Sequence, residues 1–149
     1  GTQEPLWEAS DAWEDVTTYR KHDGASRAIL VMGAPAYLCA EAAEELYKQD
    51  KATDVYIVNG LPLEPSRLTM LLSKYADGVV TVEDGLIGNQ QVGLRGFASL
   101  VSGHAASLRV PAAHVGIVDP RIAPSEGHDE VWEHFGITRE NIVTAVESL

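Results

Sequence analysis

Glu83 and Asp84 follow the apolar run Gly78-Val79-Val80-Thr81-Val82 and stand directly before Gly85. The C-terminal ends of strands in α/β sheets face ligand crevices, which makes this acid pair the most function-like position in the chain. Acids beside a helix N-terminus also stabilise its dipole, and that role needs no ligand. The stretch from Gly85 through Gly88 and Gly93 to Gly96 sits between a strand and a helix, where backbone N–H groups can receive an anion. It matches neither G-x-G-x-x-G nor G-x-x-x-x-G-K-[ST], and no lysine stands where it would reach a phosphate. Glycines that permit a tight turn and close helix-to-sheet packing are the preferred explanation. Gly33, Glu83, Asp84, Gly85 and Gly88 are therefore the candidate crevice residues.

The other chemistry-bearing residues group less convincingly. The histidines are His22, His104, His114, His128 and His134, and the one local grouping with several acids is Glu126, His128, Asp129, Glu130 and His134. This is not the H-E-x-x-H spacing of a zinc site, and a Glu-His pair on an amphipathic helix is ordinarily solvated. Ser125 precedes Glu126-Gly127-His128, but it occupies a helix-cap position and lacks the strand-turn-helix context of a nucleophilic serine. Cys39 is the single cysteine and falls in a helical apolar pattern, so a buried free thiol is expected. No residue is assigned a catalytic role, and no metal or cofactor ligand is assigned to this chain.

Composition narrows the partners. Eleven Lys and Arg against 22 Asp and Glu give a formal net charge of −11 over 149 residues. With no basic cluster, a phosphate backbone is repelled and nucleic acid is not expected. No apolar run approaches the roughly 20 residues of a membrane-spanning helix, so no membrane is expected either. Gly1 to Pro5 has neither a basic nor an apolar leader region, so no secretory signal is expected, and the expected location is the cytoplasm, with an organelle as the alternative.

The elements that must position the acid pair follow from periodicity. Val16-Thr17-Thr18-Tyr19-Arg20 and Ala28-Ile29-Leu30-Val31-Met32 are β-prone and flank an Asp23-Gly24 turn signal, which predicts an antiparallel hairpin. The second run is apolar throughout, as a central strand covered on both faces requires. Pro35 suits a helix start, and Leu38, Cys39, Ala42, Ala43 and Leu46 form its apolar face opposite Glu41, Glu44, Glu45 and Lys48. A buried strand over Val55–Val58 leads to a helix carrying Leu68, Leu71, Leu72 and Tyr75. The strand of residues 78–82 follows, then a helix through Phe97, Leu100 and Val101, then a strand over Ala113–Val118 broken by Asp119-Pro120. Two short helices close the chain: one from about Ser125 to Phe135, ending at Gly136, and one capped by Thr138 with Ile142, Val146 and Leu149 on one face.

This order predicts a three-layer αβα domain over residues 16–149, with a mixed, mainly parallel five-stranded sheet whose first strand is antiparallel. Residues 1–15, with Leu6, Trp7 and Trp13, read as a linker or tether.

The motifs in this order resemble the C-terminal domain of the transketolase family, which includes transketolase, deoxyxylulose-phosphate synthase and the β subunit of 2-oxo acid dehydrogenase E1. The matching stretches are the run into Ala28-Ile-Leu-Val-Met-Gly33, the helix Glu41-Ala-Ala-Glu-Glu-Leu46, and Pro62-Leu63-Glu64. Val80-Thr-Val-Glu83-Asp-Gly85, Val115-Gly-Ile-Val-Asp119 and Phe135-Gly-Ile-Thr-Arg-Glu-Asn-Ile142 continue the match. Two positions depart. Paired glycines usually open the helix after the acidic strand end, whereas Gly88 is followed here by Asn89-Gln90-Gln91. Glu64 also stands where the family prefers an aspartate cap.

The resemblance implies that thiamine diphosphate and magnesium are held by preceding pyrophosphate- and pyrimidine-binding domains of a parent enzyme, and that nothing is bound by this domain. It implies an accessory role in domain packing and in dimer or subunit assembly, with a homo-oligomer formed through the parent. The alternative is a stand-alone small-ligand-binding or regulatory α/β module using the crevice near Gly33, Glu83, Asp84 and Gly88.

Overall fold

The densest apolar run, Ala28 to Val31, lies where both faces of a sheet are covered, and all four side chains are fully buried. The computed structural model describes residues 16–33, 36–60, 64–86, 88–89, 93–94, 96–117 and 137–149. In chain order the elements are β1 (Val16–Arg20), β2 (Arg27–Met32), α1 (Ala36–Lys48), β3 (Thr53–Val58), α2 (Pro65–Leu72) and β4 (Gly78–Leu86). Then come β5 (Gly88–Asn89), β6 (Gly93–Leu94), α3 (Gly96–Leu108), β7 (Ala112–Ile117) and a helix here called α4 (Arg139–Glu147). Five strands form one sheet in the order β1-β3-β2-β4-β7, and β5 and β6 form a separate two-stranded sheet.

Alternation along each strand divides the core into two layers. Ala28 and Leu30 of β2 face α2 and α3, together with Tyr56, Val58, Val79, Leu68, Leu72, Phe97 and Val101. Ile29 and Val31 face α1 and α4, with Val55, Val80, Val82, Cys39, Leu46, Ile142 and Val146. The three-layer mixed α/β architecture expected from the sequence is the one observed.

The hairpin is corrected. β1 is antiparallel, but its partner is β3, with Val16 opposite Val58 and Thr18 opposite Tyr56. β2 is instead flanked by two parallel neighbours, β3 and β4. Residues 21–26 do not fold back on β1; they carry the chain across the start of β3, a step of about 10 Å or two strand spacings. Asp54, at the head of β3, holds this crossing: its Oδ1 accepts the His22 N–H at 2.7 Å, and Lys21 Nζ lies 3.1 Å from its Oδ2. Placing β1 at the edge leaves the apolar β2 to pair along both sides, which suits a strand buried on both faces.

The helices follow their sequence signals more closely. In α1, Cys39, Ala42, Ala43 and Leu46 are buried, whereas Glu41, Glu44 and Glu45 are exposed. Burial pushes the Cys39 thiol pKa up, so it stays an inert free thiol. Helix α2 begins on Pro65, and its N-cap Glu64 makes no side-chain cap bond. The longer carboxylate takes Ser66 Oγ at 2.6 Å and Arg67 Nε at 3.2 Å instead. Thr138 does cap α4, its Oγ1 accepting the Asn141 N–H at 3.1 Å. α3 continues past Gly103 to Leu108. The helix expected over 125–135, Gly136, Pro35 and the tether of residues 1–15 lie outside the described residues.

Candidate functional site

The path of the chain opens a crevice between the C-terminal ends of β2 and β4. From β2 the chain runs through α1 to β3 on one side, and from β4 through α3 to β7 on the other, so the two connections diverge at this point. Ligands in open α/β sheets bind at such a switch point. The parallel register sets Met32 beside Glu83, which puts Gly33 and Asp84 together just beyond.

Gly33 is exposed and has φ +100°, a backbone region that side chains rarely adopt. The Asp84 carboxylate presses on its Cα: a Cβ at position 33 would lie 2.5 Å from Oδ1 and 2.8 Å from Oδ2. Only glycine lets the acid approach the β2 end this closely. Asp84 itself is exposed to solvent.

Glu83 differs from its neighbour because strand alternation turns it inward. It is 6% exposed, and its Oε1 lies 3.4 Å from the backbone N–H of Ala98 in the first turn of α3. Burial raises its pKa above the ordinary carboxylate value and the charge of Asp84 raises it further, while the Ala98 N–H opposes both. The crevice thus pairs a buried carboxyl, whose pKa burial raises, with an exposed one. Such a pair can accept hydroxyl or cationic groups, and the inner carboxyl can also donate a hydrogen bond while protonated.

Gly85 continues β4, and Gly88 opens the small β5–β6 hairpin, with Gly88 opposite Leu94 and Asn89 opposite Gly93. Between β4 and α3 the described residues of the glycine-rich stretch thus form a short antiparallel pair. The strand also runs further than its apolar pattern suggested, with a register irregularity between Val82 and Leu86 against β7.

The described histidines are dispersed. His114 Nδ1 is 2.7 Å from Thr81 Oγ1 across β4 and β7, and burial lowers its pKa. His104 Nδ1 is 3.1 Å from the Leu100 carbonyl on its own helix. Among the described residues no group of three or more His, Cys, Asp or Glu is arranged to hold a metal ion. Ser125, Glu126, His128, Asp129, Glu130 and His134 lie outside the described residues.

A second polar cluster, at the opposite end of the sheet, escaped sequence reasoning. Asp54 is 1% exposed, and besides His22 and Lys21 it accepts the Tyr75 hydroxyl on Oδ2 at 2.6 Å. The Tyr75 and Tyr56 hydroxyls are 2.5 Å apart. Burial pushes both tyrosine pKa values up, so each hydroxyl keeps its proton. For Lys21, burial works against the charged form, but the Tyr56 and Asp54 oxygens outweigh it and the pKa is raised. His22 Nδ1 lies 2.8 Å from the Thr53 carbonyl, and its ring stands 5.0 Å from Tyr47. This is a clamp on the β1-to-β2 crossing. The available signal was Asp54 itself, an acid heading an apolar strand.

Neither a family profile nor a curated protein sequence matches this chain. Solved structures do. A split-gene transketolase in an inactive β4 tetramer superimposes with a TM-score of 0.70 and 22% identity, covering 99% of this chain and 46% of that one. Transketolase from Campylobacter jejuni gives a TM-score of 0.63 and 20% identity over 99% of this chain and 20% of that chain. Transketolase from Leishmania mexicana gives 0.56 and 18% identity over 91% and 18%. The fold is one that transketolases contain, as the motif order implied, and the chain spans less than half the length of each of these proteins.

Proposed function

We propose that this chain is the accessory C-terminal domain of a thiamine-diphosphate-dependent, transketolase-type enzyme, serving domain packing and dimer or subunit assembly rather than chemistry. The observation that carries this reading is coverage: 99% of the chain superimposes on a transketolase chain of which it makes up only 46%. The parent transfers two-carbon ketol units or decarboxylates a 2-oxo acid, and its pyrophosphate- and pyrimidine-binding domains are the partners of this one. Thiamine diphosphate and magnesium sit in those domains.

The crevice supports that division of labour. The crevice does not offer a diphosphate the Ala98 N–H at the head of α3, because this donor, which an anion would use, is directed at Glu83. Helix α3 supports an assembly role: it carries no Asp, Glu, Lys or Arg, and its exposed positions are Gly96, Ser99, Gly103, Ala106 and Ser107. Small uncharged residues on an outer face admit close approach of another backbone. No described helix is long and apolar enough to cross a membrane, and the proposed location is the cytoplasm.

Two measurements test the proposal. Titrating the chain with thiamine diphosphate and Mg²⁺ in a calorimeter is expected to give no saturable heat. Mixing it with a polypeptide comprising the pyrophosphate- and pyrimidine-binding domains is expected to give a co-eluting complex in size-exclusion chromatography. Saturable cofactor binding by the isolated chain contradicts the assignment.

A second reading, a stand-alone ligand-binding or regulatory module, is favoured by the Gly33–Asp84 contact and the raised Glu83 pKa at the switch point. Thermal-shift screening with nucleotides and sugar phosphates separates the two. A ligand-dependent rise in melting temperature, lost on Asp84→Ala, supports the module.

A further inference from the structure

No further inference is drawn: the strongest candidate, the cavity of about 440 Å³ between the Asp23–Arg27 loop and the end of α1, is lined by the exposed carboxylates of Asp23 and Asp50, the Tyr47 ring, and Ser26 and Arg27, which both already face Asp77, and nothing in the structure shows what occupies it.

Discussion

Replacing Asp54 with alanine removes the acceptor that holds the β1-to-β2 crossing over β3. The His22 N–H then loses its acceptor at 2.7 Å, and the Tyr75 hydroxyl loses its acceptor at 2.6 Å while keeping the Tyr56 hydroxyl beside it. Lys21 Nζ, 3.1 Å away, loses its counter-ion, but its side chain is 40% exposed and water replaces the carboxylate. Hydrogen bonds to a charged group contribute about 1.5–3 kcal/mol each. From the two bonds involved, Asp54→Ala is therefore expected to cost about 3–5 kcal/mol, a large share of the roughly 5–15 kcal/mol that holds a domain together. Asp54→Asn keeps one acceptor oxygen and is expected to cost about 1–3 kcal/mol. Lys21→Met removes a half-solvated charge and is expected to cost no more than about 1 kcal/mol. Urea unfolding followed by circular dichroism gives these differences if the m-value is unchanged. Amide hydrogen exchange at His22 supplies a local readout, because its protection depends on the Asp54 oxygen. A loss below about 1 kcal/mol for Asp54→Ala, or an equal loss for Lys21→Met, would refute the clamp.

Other perturbations probe the rest of the fold. Gly24 and Gly78 have φ +74° and +122°, but a Cβ at Gly24 meets open space whereas one at Gly78 lies 2.8 Å from the Pro111 carbonyl. Gly24→Ala is expected to cost about 1–2 kcal/mol of backbone strain, and Gly78→Ala a further 1–3 kcal/mol, roughly, for overlap with fixed backbone. Equal losses in urea unfolding would show that the Pro111 contact relaxes freely.

Glu83 provides a pH test. Its native pKa is raised above 4.5, so the native state holds the proton where the unfolded chain releases it. Its stabilising contribution is complete below 4.5 and is lost as pH rises from there through the raised native value. Glu83→Gln should flatten that part of the stability profile measured by urea unfolding across pH, and an unchanged slope would contradict the burial argument. Thr18 is 3% exposed, and its Oγ1 has no partner among the described residues. Thr18→Val, which keeps the shape, is expected to stabilise by about 1 kcal/mol, seen as a melting temperature several degrees higher. A lower melting temperature would mean that the hydroxyl is satisfied.

Much of the architecture was legible in the order of residues, because helix and strand periodicities are local. Cys39, Ala42, Ala43 and Leu46 fall on one helical face whatever packs against it, and Thr138 caps α4 through a bond three residues away. The unbroken apolar run of β2 announced a central strand, whereas the acids after Val82 marked only the end of the apolar stretch of β4, which continues to Leu86. The crevice was legible only as a location. That Gly33 and Asp84 touch, and that Glu83 is buried while Asp84 is not, depends on β2 and β4 lying side by side in parallel register.

Strand adjacency is where sequence reasoning failed. The Asp23-Gly24 signal correctly marked a turn, yet a turn does not say whether the chain comes back beside the strand it left or steps over the next one. That choice belonged to contacts distant in sequence: Asp54 receiving His22, Tyr75 and Lys21, and β2 pairing along both edges with β3 and β4. The residues alone thus determined the order of the main described strands and helices and which side of each helix is apolar. Tertiary structure alone decided the neighbours, because pairing and burial are energies shared between segments, and no single segment carries them.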